Sequence, residues 1–208
     1  MSDRSPNARL EAFCDGVFAI ALTLLIIDIK APSSSAITST AALWHALRGV
    51  LPSIFAFLLS FAIIFITWMN HHSIFHSIAR SSGAFIYANG FLLLTVVFIP
   101  FPTALLGNYL LTDHAAPAVV IYNAVLAMQA VAWVLFCGTA LLDDLATGAA
   151  ASATLRTSYR NAWLSIALYS TLAVVATWFP LPVAAITTLT WIFWLAFGIF
   201  TLKAASST

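Results

Sequence analysis

The sequence predicts an all-α membrane protein with six transmembrane helices per subunit and both termini in the cytoplasm. Of its 208 residues, 62% are hydrophobic and only 7% are charged, whereas roughly a quarter of the residues in a soluble globular protein are charged. The apolar residues form continuous runs without strand-like alternation, which favours helices over the strands of a transmembrane barrel. The formal net charge of +1 provides no basic field for nucleic acid, so this class of partner is excluded.

Six apolar segments are long enough to be spanning helices, which need about 20 residues each. They are residues 12–29, 50–78, 84–106, 118–142, 162–179 and 183–202. Prolines lie at or near the segment ends, where proline starts or stops a helix without the loss of an internal hydrogen bond. The longest connections, residues 31–49 and 143–161, are short. Residues 1–208 are therefore predicted to form a single membrane domain.

The positive charges predict the orientation of the helices, because cytoplasmic loops of membrane proteins are rich in Lys and Arg. If the N-terminus is cytoplasmic, only Lys30 and Arg48 fall on the far side of the membrane. The other six of the eight basic residues fall in the cytoplasm: Arg4, Arg9, Arg80, Arg156, Arg160 and Lys203. We therefore expect a multi-pass protein of the cell membrane, plasma or inner, with both termini inside.

Polar side chains within the spans gather near the predicted cytoplasmic end, and they are functional candidates because such groups are costly in a membrane. The first segment opens with Arg9, Cys14 and Asp15, and the second closes with Asn70, His71, His72 and His76. Arg9 and Asp15 are separated by about 120° around a helix and cannot easily pair with each other. We expect them to bond to the group at the end of the second segment or to a neighbouring subunit; contact with interfacial water is the alternative.

The histidines of the second segment also raise the question of a metal site, since His72 and His76 are four positions apart and share a helix face. The sequence offers no carboxylate-bearing motif to complete such a site, and His45 and His114 fall in loops on the opposite side. Structural hydrogen bonding is the preferred interpretation. No metal and no cofactor are predicted, while a pH-sensing role for the histidines stays open.

The first segment carries a continuous stripe of residues at three- and four-residue steps. Asp28 lies at the outer end of this stripe, which consists of Phe13, Gly16, Ile20, Thr23, Leu24 and Ile27. Such a stripe is typical of a helix face that packs against protein or lipid. Periodicity alone does not distinguish these surfaces from the wall of a pore.

Residues 9–25 begin with Arg-x3-Phe-Cys-Asp and continue with Gly-Val-Phe-Ala-Ile-Ala. This stretch resembles the first-helix signature of the lysosomal and prokaryotic potassium-channel family called transmembrane protein 175. Residues 68–75 and 98–107 are similar to the same family, so the resemblance covers the first half of the chain. Cys14 stands where the family has serine, which replaces a hydroxyl by a thiol.

The resemblance implies a subunit without a re-entrant pore loop, which forms a homotetramer with the first helix of each subunit lining a central pore. The sequence agrees in lacking the Thr-Val-Gly-Tyr-Gly filter of ordinary potassium channels. In the implied pore, Ile20, Leu24 and Ile27 form a hydrophobic constriction, Thr23 contributes to selectivity, and Asp28 lies at the mouth. The implied interhelical polar network consists of Arg9, Phe13, Cys14, Asp15, Trp68, Asn70, His71 and His72.

The function implied by the resemblance is a leak-type, potassium-selective cation channel in the lipid bilayer, with K+ as the permeant ion. Two alternatives remain: a small secondary transporter, whose usual internal repeats and interrupted spans the sequence lacks, and a proton-conducting channel. An enzyme that uses the histidine group is a third interpretation. It has no support from a catalytic triad, paired carboxylates or a cofactor motif, so no enzymatic activity is predicted.

Overall fold

A computed structural model describes residues 7–205 of the chain and the side chains of residues 7–196. Two short 3-10 helices, Leu25–Asp28 and Ser34–Ala36, follow the first α-helix. The α-helices in this part of the chain are α1 (Ala8–Leu24), α2 (Thr40–Phe75), α3 (Gly83–Phe98), α4 (Pro100–Tyr109), α5 (Ala115–Leu142), α6 (Ala149–Val175) and α7 (Pro180–Ala205). The predicted all-helical fold class is confirmed.

Four stretches of the described chain are long and apolar enough to cross a membrane, and they match the first four predicted segments. They are Ala8–Asp28, Thr40–Phe75, Gly83–Tyr109 and Ala115–Leu142. A shorter apolar helix, Pro180–Ala196, lies within the sixth predicted segment. Arg4 and the side chain of Lys203, which contributed to the predicted orientation, lie outside the described residues. The chain is a multi-pass membrane protein.

Two helices begin well before the positions that hydropathy predicted. α2 starts at Thr40 instead of residue 50, where the Ser39 side chain caps it by accepting a hydrogen bond from the Ala42 N–H at 3.1 Å. α6 starts at Ala149 instead of residue 162. Much of the predicted connections 31–49 and 143–161 is therefore helical. Hydropathy missed these extensions because it reports the apolar length of a helix and not its full length.

Two prolines lie within helical stretches and not at their ends. Pro52 is inside α2, although the sequence placed it near a helix start. Pro100 divides the third predicted segment into α3 and α4. Proline has no N–H to continue the helical ladder, and at this junction the Ile99 N–H bonds instead to the Val96 carbonyl at 3.2 Å. The two helices still form one membrane-length stretch, Gly83–Tyr109.

The core of the bundle forms around α5, which packs against α3, α4, α6 and α7, while α1 packs against α2 and α3. A buried polar cluster connects three of these helices. The Ser60 hydroxyl of α2 lies 2.6 Å from that of Thr103 in α4 and 2.8 Å from that of Tyr122 in α5. Hydrogen bonds of this kind hold helices together where apolar packing alone gives little specificity.

The α2–α3 and α5–α6 connections meet at one end of the bundle. The Ala79 N–H donates to the Leu145 carbonyl at 2.8 Å, and the Asn7 side chain, just before α1, donates to the Ile78 carbonyl at 3.1 Å. The polar residues that open α1 and α3 and close α2 therefore share one end of the bundle, as predicted. The assignment of this end to the cytoplasm stays a prediction.

We expect Gly107→Ala to lower the free energy of unfolding by about 1–3 kcal/mol, the usual cost of overpacking. A Cβ at Gly107 of α4 would lie 2.9 Å from the Ser53 Cα of α2, so the two backbones would have to separate. Thermal unfolding in detergent measures the effect. Gly90→Ala in α3 is the matched control, because its Cβ would meet nothing within 4 Å. Equal losses in both variants would contradict the close approach.

Candidate functional site

One face of α1 is buried within the subunit. The buried residues are Cys14, Phe18, Ala21 and Leu25, and none of them is more than 1% exposed. Their steps of four, three and four positions keep them on a single side of a helix with 3.6 residues per turn. This side packs against α2 and α3, so the opposite face points away from the rest of the subunit.

The exposed face of α1 is the stripe recognised in the sequence. Ile20 is 58% exposed and Ile27 is 64% exposed, which is unusual for large apolar side chains unless lipid or another subunit covers them. A Cβ added at Gly16 would meet nothing within 4 Å. All six residues of the exposed stripe lie on the uncovered surface: Phe13, Gly16, Ile20, Thr23, Leu24 and Ile27.

The helix geometry changes near the outer end of the exposed stripe. α1 ends at Leu24 and continues as the 3-10 helix Leu25–Asp28, which has about three residues per turn. Ile26 is therefore exposed beside Ile27, although α-helical periodicity predicted only Ile27 on this face. Asp28 is exposed at the end of the 3-10 helix, where the sequence placed it.

Thr23 is the exposed hydroxyl in the middle of the apolar stripe. Its Oγ1 donates a hydrogen bond to the Ile20 carbonyl of its own helix at 2.8 Å. The hydroxyl proton is thereby directed back to the helix. A hydroxyl oxygen has two lone pairs, so the Thr23 oxygen can still contribute to the coordination of a cation at this face.

Asp15 binds α2 through a residue other than the expected ones. Its Oδ1 accepts a hydrogen bond from the Trp68 indole N–H at 2.8 Å. The expected bond to the Asn70, His71 and His72 group is therefore wrong for Asp15. Two positions along α2 correspond to a rotation of about 200°, which directs Trp68 towards α1 and leaves Asn70 on a different face.

Arg9 also differs from expectation, since its side chain is exposed at the start of α1. The hypothesis that it ties α1 to the end of α2 within the subunit receives no contact from the structure of the described residues. A bond from Arg9 to a neighbouring subunit stays a prediction.

A buried hydrogen-bonded chain connects His71 of α2, Asn89 of α3 and Cys14 of α1. The Asn89 oxygen accepts from the His71 Nε2–H at 2.8 Å, and the Asn89 Nδ2 donates to the Cys14 sulfur at 3.1 Å. All three residues are at most 1% exposed. The thiol that replaces the family serine thus still accepts a hydrogen bond at this position.

Aromatic rings enclose the His71 imidazole. Its centroid lies 4.6 Å from that of Phe75, 5.2 Å from Phe18 and 5.4 Å from Phe136. These rings come from α1, α2 and α5 and shield the imidazole from solvent. His71 therefore belongs to the packing of the bundle, and the exposed face of α1 is directed away from it.

Glu11 is a site residue that sequence reasoning missed. Its Oε1 lies 3.4 Å from the His72 Nδ1 and 3.3 Å from the His76 Nδ1. Glu11 and Asp15 are four positions apart on α1, as are Trp68 and His72 on α2, and such pairs share a helix face. This spacing was the available signal that two polar rows could meet along the α1–α2 contact.

A cavity of about 590 Å³ lies between α2, α5, α6 and α7. Its wall is largely apolar, and the amides of Asn70, Gln129 and Asn161 contribute to it. The Gln129 Nε2 is buried without a hydrogen-bond partner among the described residues. The sequence gave no indication of this cavity, because its residues come from four separate helices.

Together, these features define a class of protein: a multi-pass helical membrane protein whose first helix binds its own subunit with one face and leaves the other face uncovered. A family model described as endosomal/lysosomal potassium channel TMEM175 matches residues 9–100. A solved structure of a lysosomal potassium-selective channel TMEM175 homologue from Chamaesiphon minutus is also similar. It has a TM-score of 0.77 and 35% identity, covering 92% of this chain and 99% of that one.

Two curated relatives extend the match. A protein from Chamaesiphon minutus, named a potassium channel, is 49% identical over 59% of this chain and 60% of its own length. Another from Streptomyces collinus, also named a potassium channel, is 43% identical over 71% of this chain and 73% of its own length. The chain belongs to the TMEM175 family.

Proposed function

We propose that the chain is a subunit of a homotetrameric potassium channel in the inner membrane, with one α1 helix from each subunit around a central pore. The observation that carries the proposal is the exposed stripe of α1. Its large apolar residues are uncovered in the single subunit, while the opposite face of α1 is fully packed. The names of the two curated relatives and of the solved homologue support potassium as the permeant ion.

Polar groups on this side of α1 favour a pore over a lipid-facing surface. Arg9 is exposed at the start of the helix, Thr23 in its second half, and Asp28 at the end of the 3-10 helix. A helix face in contact with lipid gains nothing from such groups, because charged and polar side chains are costly there. Along an aqueous path they can be hydrated and can act on ions.

The residues of the exposed stripe suggest how the pore acts on cations. Rings of Ile20, Leu24 and Ile27 around an axis would narrow the pore and oppose entry of water and hydrated ions. Potassium is dehydrated at lower cost than sodium, so a constriction that removes water favours potassium. Thr23 oxygens would replace part of the lost hydration, and the carboxylates of Asp28 would concentrate cations at the mouth.

Proton conduction and secondary transport remain as alternatives to a potassium pore. The exposed stripe from Phe13 to Ile27 contains no titratable side chain, so protons would have to cross it along a chain of water. A transporter would need a substrate site, for which the cavity near Gln129 is the available candidate. Amide groups on its wall could bind a polar substrate.

Ion flux from the purified protein in liposomes tests the proposal under opposed potassium, sodium and proton gradients. We expect passive flux whose reversal potential follows the potassium gradient. A reversal potential that follows the proton gradient would support a proton channel instead. Saturable exchange that requires a second ion would support a transporter, and either result would overturn the proposal.

We expect Thr23→Val to lower the potassium-to-sodium permeability ratio by about two- to fivefold, equivalent to about 0.5–1 kcal/mol for one lost polar contact. Valine keeps the shape of threonine but removes the oxygen that faces the proposed pore. Reversal potentials under mixed potassium and sodium gradients measure the ratio. Thr23→Ser is the matched control, because it keeps the hydroxyl. An unchanged ratio in Thr23→Val would exclude Thr23 from selectivity.

A further inference from the structure

We propose that Glu11, His72 and His76 form a binding site for a divalent transition-metal ion, with zinc as the best chemical match. The Glu11–His72–His76 site connects the start of α1 to the end of α2. It lies on the packed side of α1, apart from the exposed stripe. The proposal concerns metal binding by the folded protein and does not depend on the ion that the channel conducts.

The distances within the site fit a tetrahedral metal centre. Zinc binds His nitrogen and carboxylate oxygen at about 2.0–2.2 Å, so two ligands of one tetrahedron lie about 3.3–3.6 Å apart. The Glu11 Oε1 lies 3.4 Å from the His72 Nδ1 and 3.3 Å from the His76 Nδ1. One ligand atom from each of the three residues lies within 4.8 Å of the other two.

The state of the His72 nitrogen also indicates a ligand. The His72 Nδ1 is buried and makes no hydrogen bond with any described residue, although a carboxylate oxygen is 3.4 Å away. A buried nitrogen without a partner costs free energy. A metal ion between His72 and Glu11 would use the lone pair of this nitrogen and remove the cost.

α1 supplies the ligand that the sequence of α2 lacks. His72 and His76 share one face of α2, and their ring centroids are 4.4 Å apart. Two histidines alone make a weak site. Because α1 runs beside the end of α2, Glu11 adds a carboxylate and completes a two-histidine, one-carboxylate ligand set of the kind that binds zinc with one open position.

The site is accessible to an ion from solvent. The side chains of His72 and His76 are 42% and 62% exposed, while that of Glu11 is 22% exposed. His76 can therefore adjust its rotamer to bring the two imidazole nitrogens together, and water can occupy the fourth position. Imidazole ligands favour zinc, nickel and copper over magnesium and potassium, which prefer oxygen.

A bound metal would strengthen an existing contact between α1 and α2. The Asp15–Trp68 hydrogen bond lies one turn further along the same helices, and the Trp68 ring stacks on His72 with centroids 5.6 Å apart. These contacts hold His72 towards α1 before any ion binds. The site is thus partly preorganised, which lowers the cost of ordering its ligands on binding.

Zinc titration of the untagged, detergent-purified protein tests the proposal by isothermal calorimetry and thermal unfolding. We expect one zinc ion per chain and a zinc-dependent rise in Tm, since a ligand that binds only the folded state stabilises it. Glu11→Gln and His76→Ala should each weaken binding at least about tenfold and abolish the rise. Magnesium at the same concentration should have no effect.

Two matched variants control for unspecific binding. His45→Ala and His114→Ala remove exposed histidines from other parts of the chain and should leave zinc affinity unchanged. Because His76 is 62% exposed, His76→Ala is expected to fold, and its Tm without zinc checks this. The proposal is overturned if no stoichiometric binding occurs, or if Glu11→Gln and His76→Ala bind zinc as tightly as the unchanged protein.

Discussion

Ile20→Asn is expected to raise the resting potassium flux at least about tenfold, which requires the barrier to fall by only about 1.4 kcal/mol. Ile20 is 58% exposed on the stripe of α1, and in the proposed tetramer each subunit places one copy at the constriction. Asparagine is close to isoleucine in size but hydrogen-bonds to water, so it would hydrate the narrow region. Fluorescence-detected potassium efflux from liposomes measures the change.

Ile192→Asn is the matched control for this variant. Ile192 is 55% exposed and lies near the middle of α7, so the same substitution introduces the same polar group on a different helix. We expect the resting flux of Ile192→Asn to equal that of the unchanged protein. A wild-type flux in Ile20→Asn, with the protein folded and assembled, would remove Ile20 from the conduction path.

Asn89→Ala should lower the free energy of unfolding by about 1–3 kcal/mol, the usual cost of leaving a buried polar group without its partner. The substitution removes both hydrogen bonds of Asn89 and leaves the His71 Nε2 and the Cys14 sulfur unpaired between α1, α2 and α3. His71 is 1% exposed, so water cannot easily replace the lost bond. Equilibrium unfolding in mixed micelles measures the loss.

A double-mutant cycle separates this effect from simple loss of packing. In His71→Phe/Asn89→Ala no imidazole nitrogen is left unpaired, and phenylalanine suits the surrounding ring cluster. We therefore expect the double variant to lose less stability than the sum of the two single variants. Strictly additive losses would show that the His71–Asn89 bond contributes nothing to the fold.

The sequence predicted the fold class and the exposed stripe of α1 because both depend on local periodicity. Apolar runs identify membrane helices without reference to their neighbours. The residues Phe13, Ile20 and Ile27 share a face through helical geometry alone. The change to a 3-10 helix after Leu24 was not visible, since nothing in residues 25–28 distinguishes the tighter turn.

The helix ends and the polar contacts were predicted less well because they depend on groups distant in sequence. Hydropathy stopped at the apolar limits of α2 and α6 and missed their polar extensions from Thr40 and Ala149. The partner of Asp15 depends on the rotation of α2 about its own axis, which places Trp68 against α1. No single-helix pattern determines that rotation.

Glu11 shows the same limit for the candidate metal site. The histidine pair of α2 was visible in the sequence, but the carboxylate comes from α1, more than sixty positions away from His76. Only the antiparallel packing of α1 against α2 brings Glu11 within 3.4 Å of both imidazoles. Sites assembled from two helices in this way require the tertiary structure for their recognition.

The central claim is that the exposed stripe of α1 lines a pore between four subunits. Cryo-electron microscopy of the full chain in lipid nanodiscs tests it most directly, because lipid and neighbouring subunits then compete for this face. We predict four copies related by an axis, with the Ile20 and Ile27 side chains directed towards that axis. An assembly in which these side chains face lipid would contradict the account.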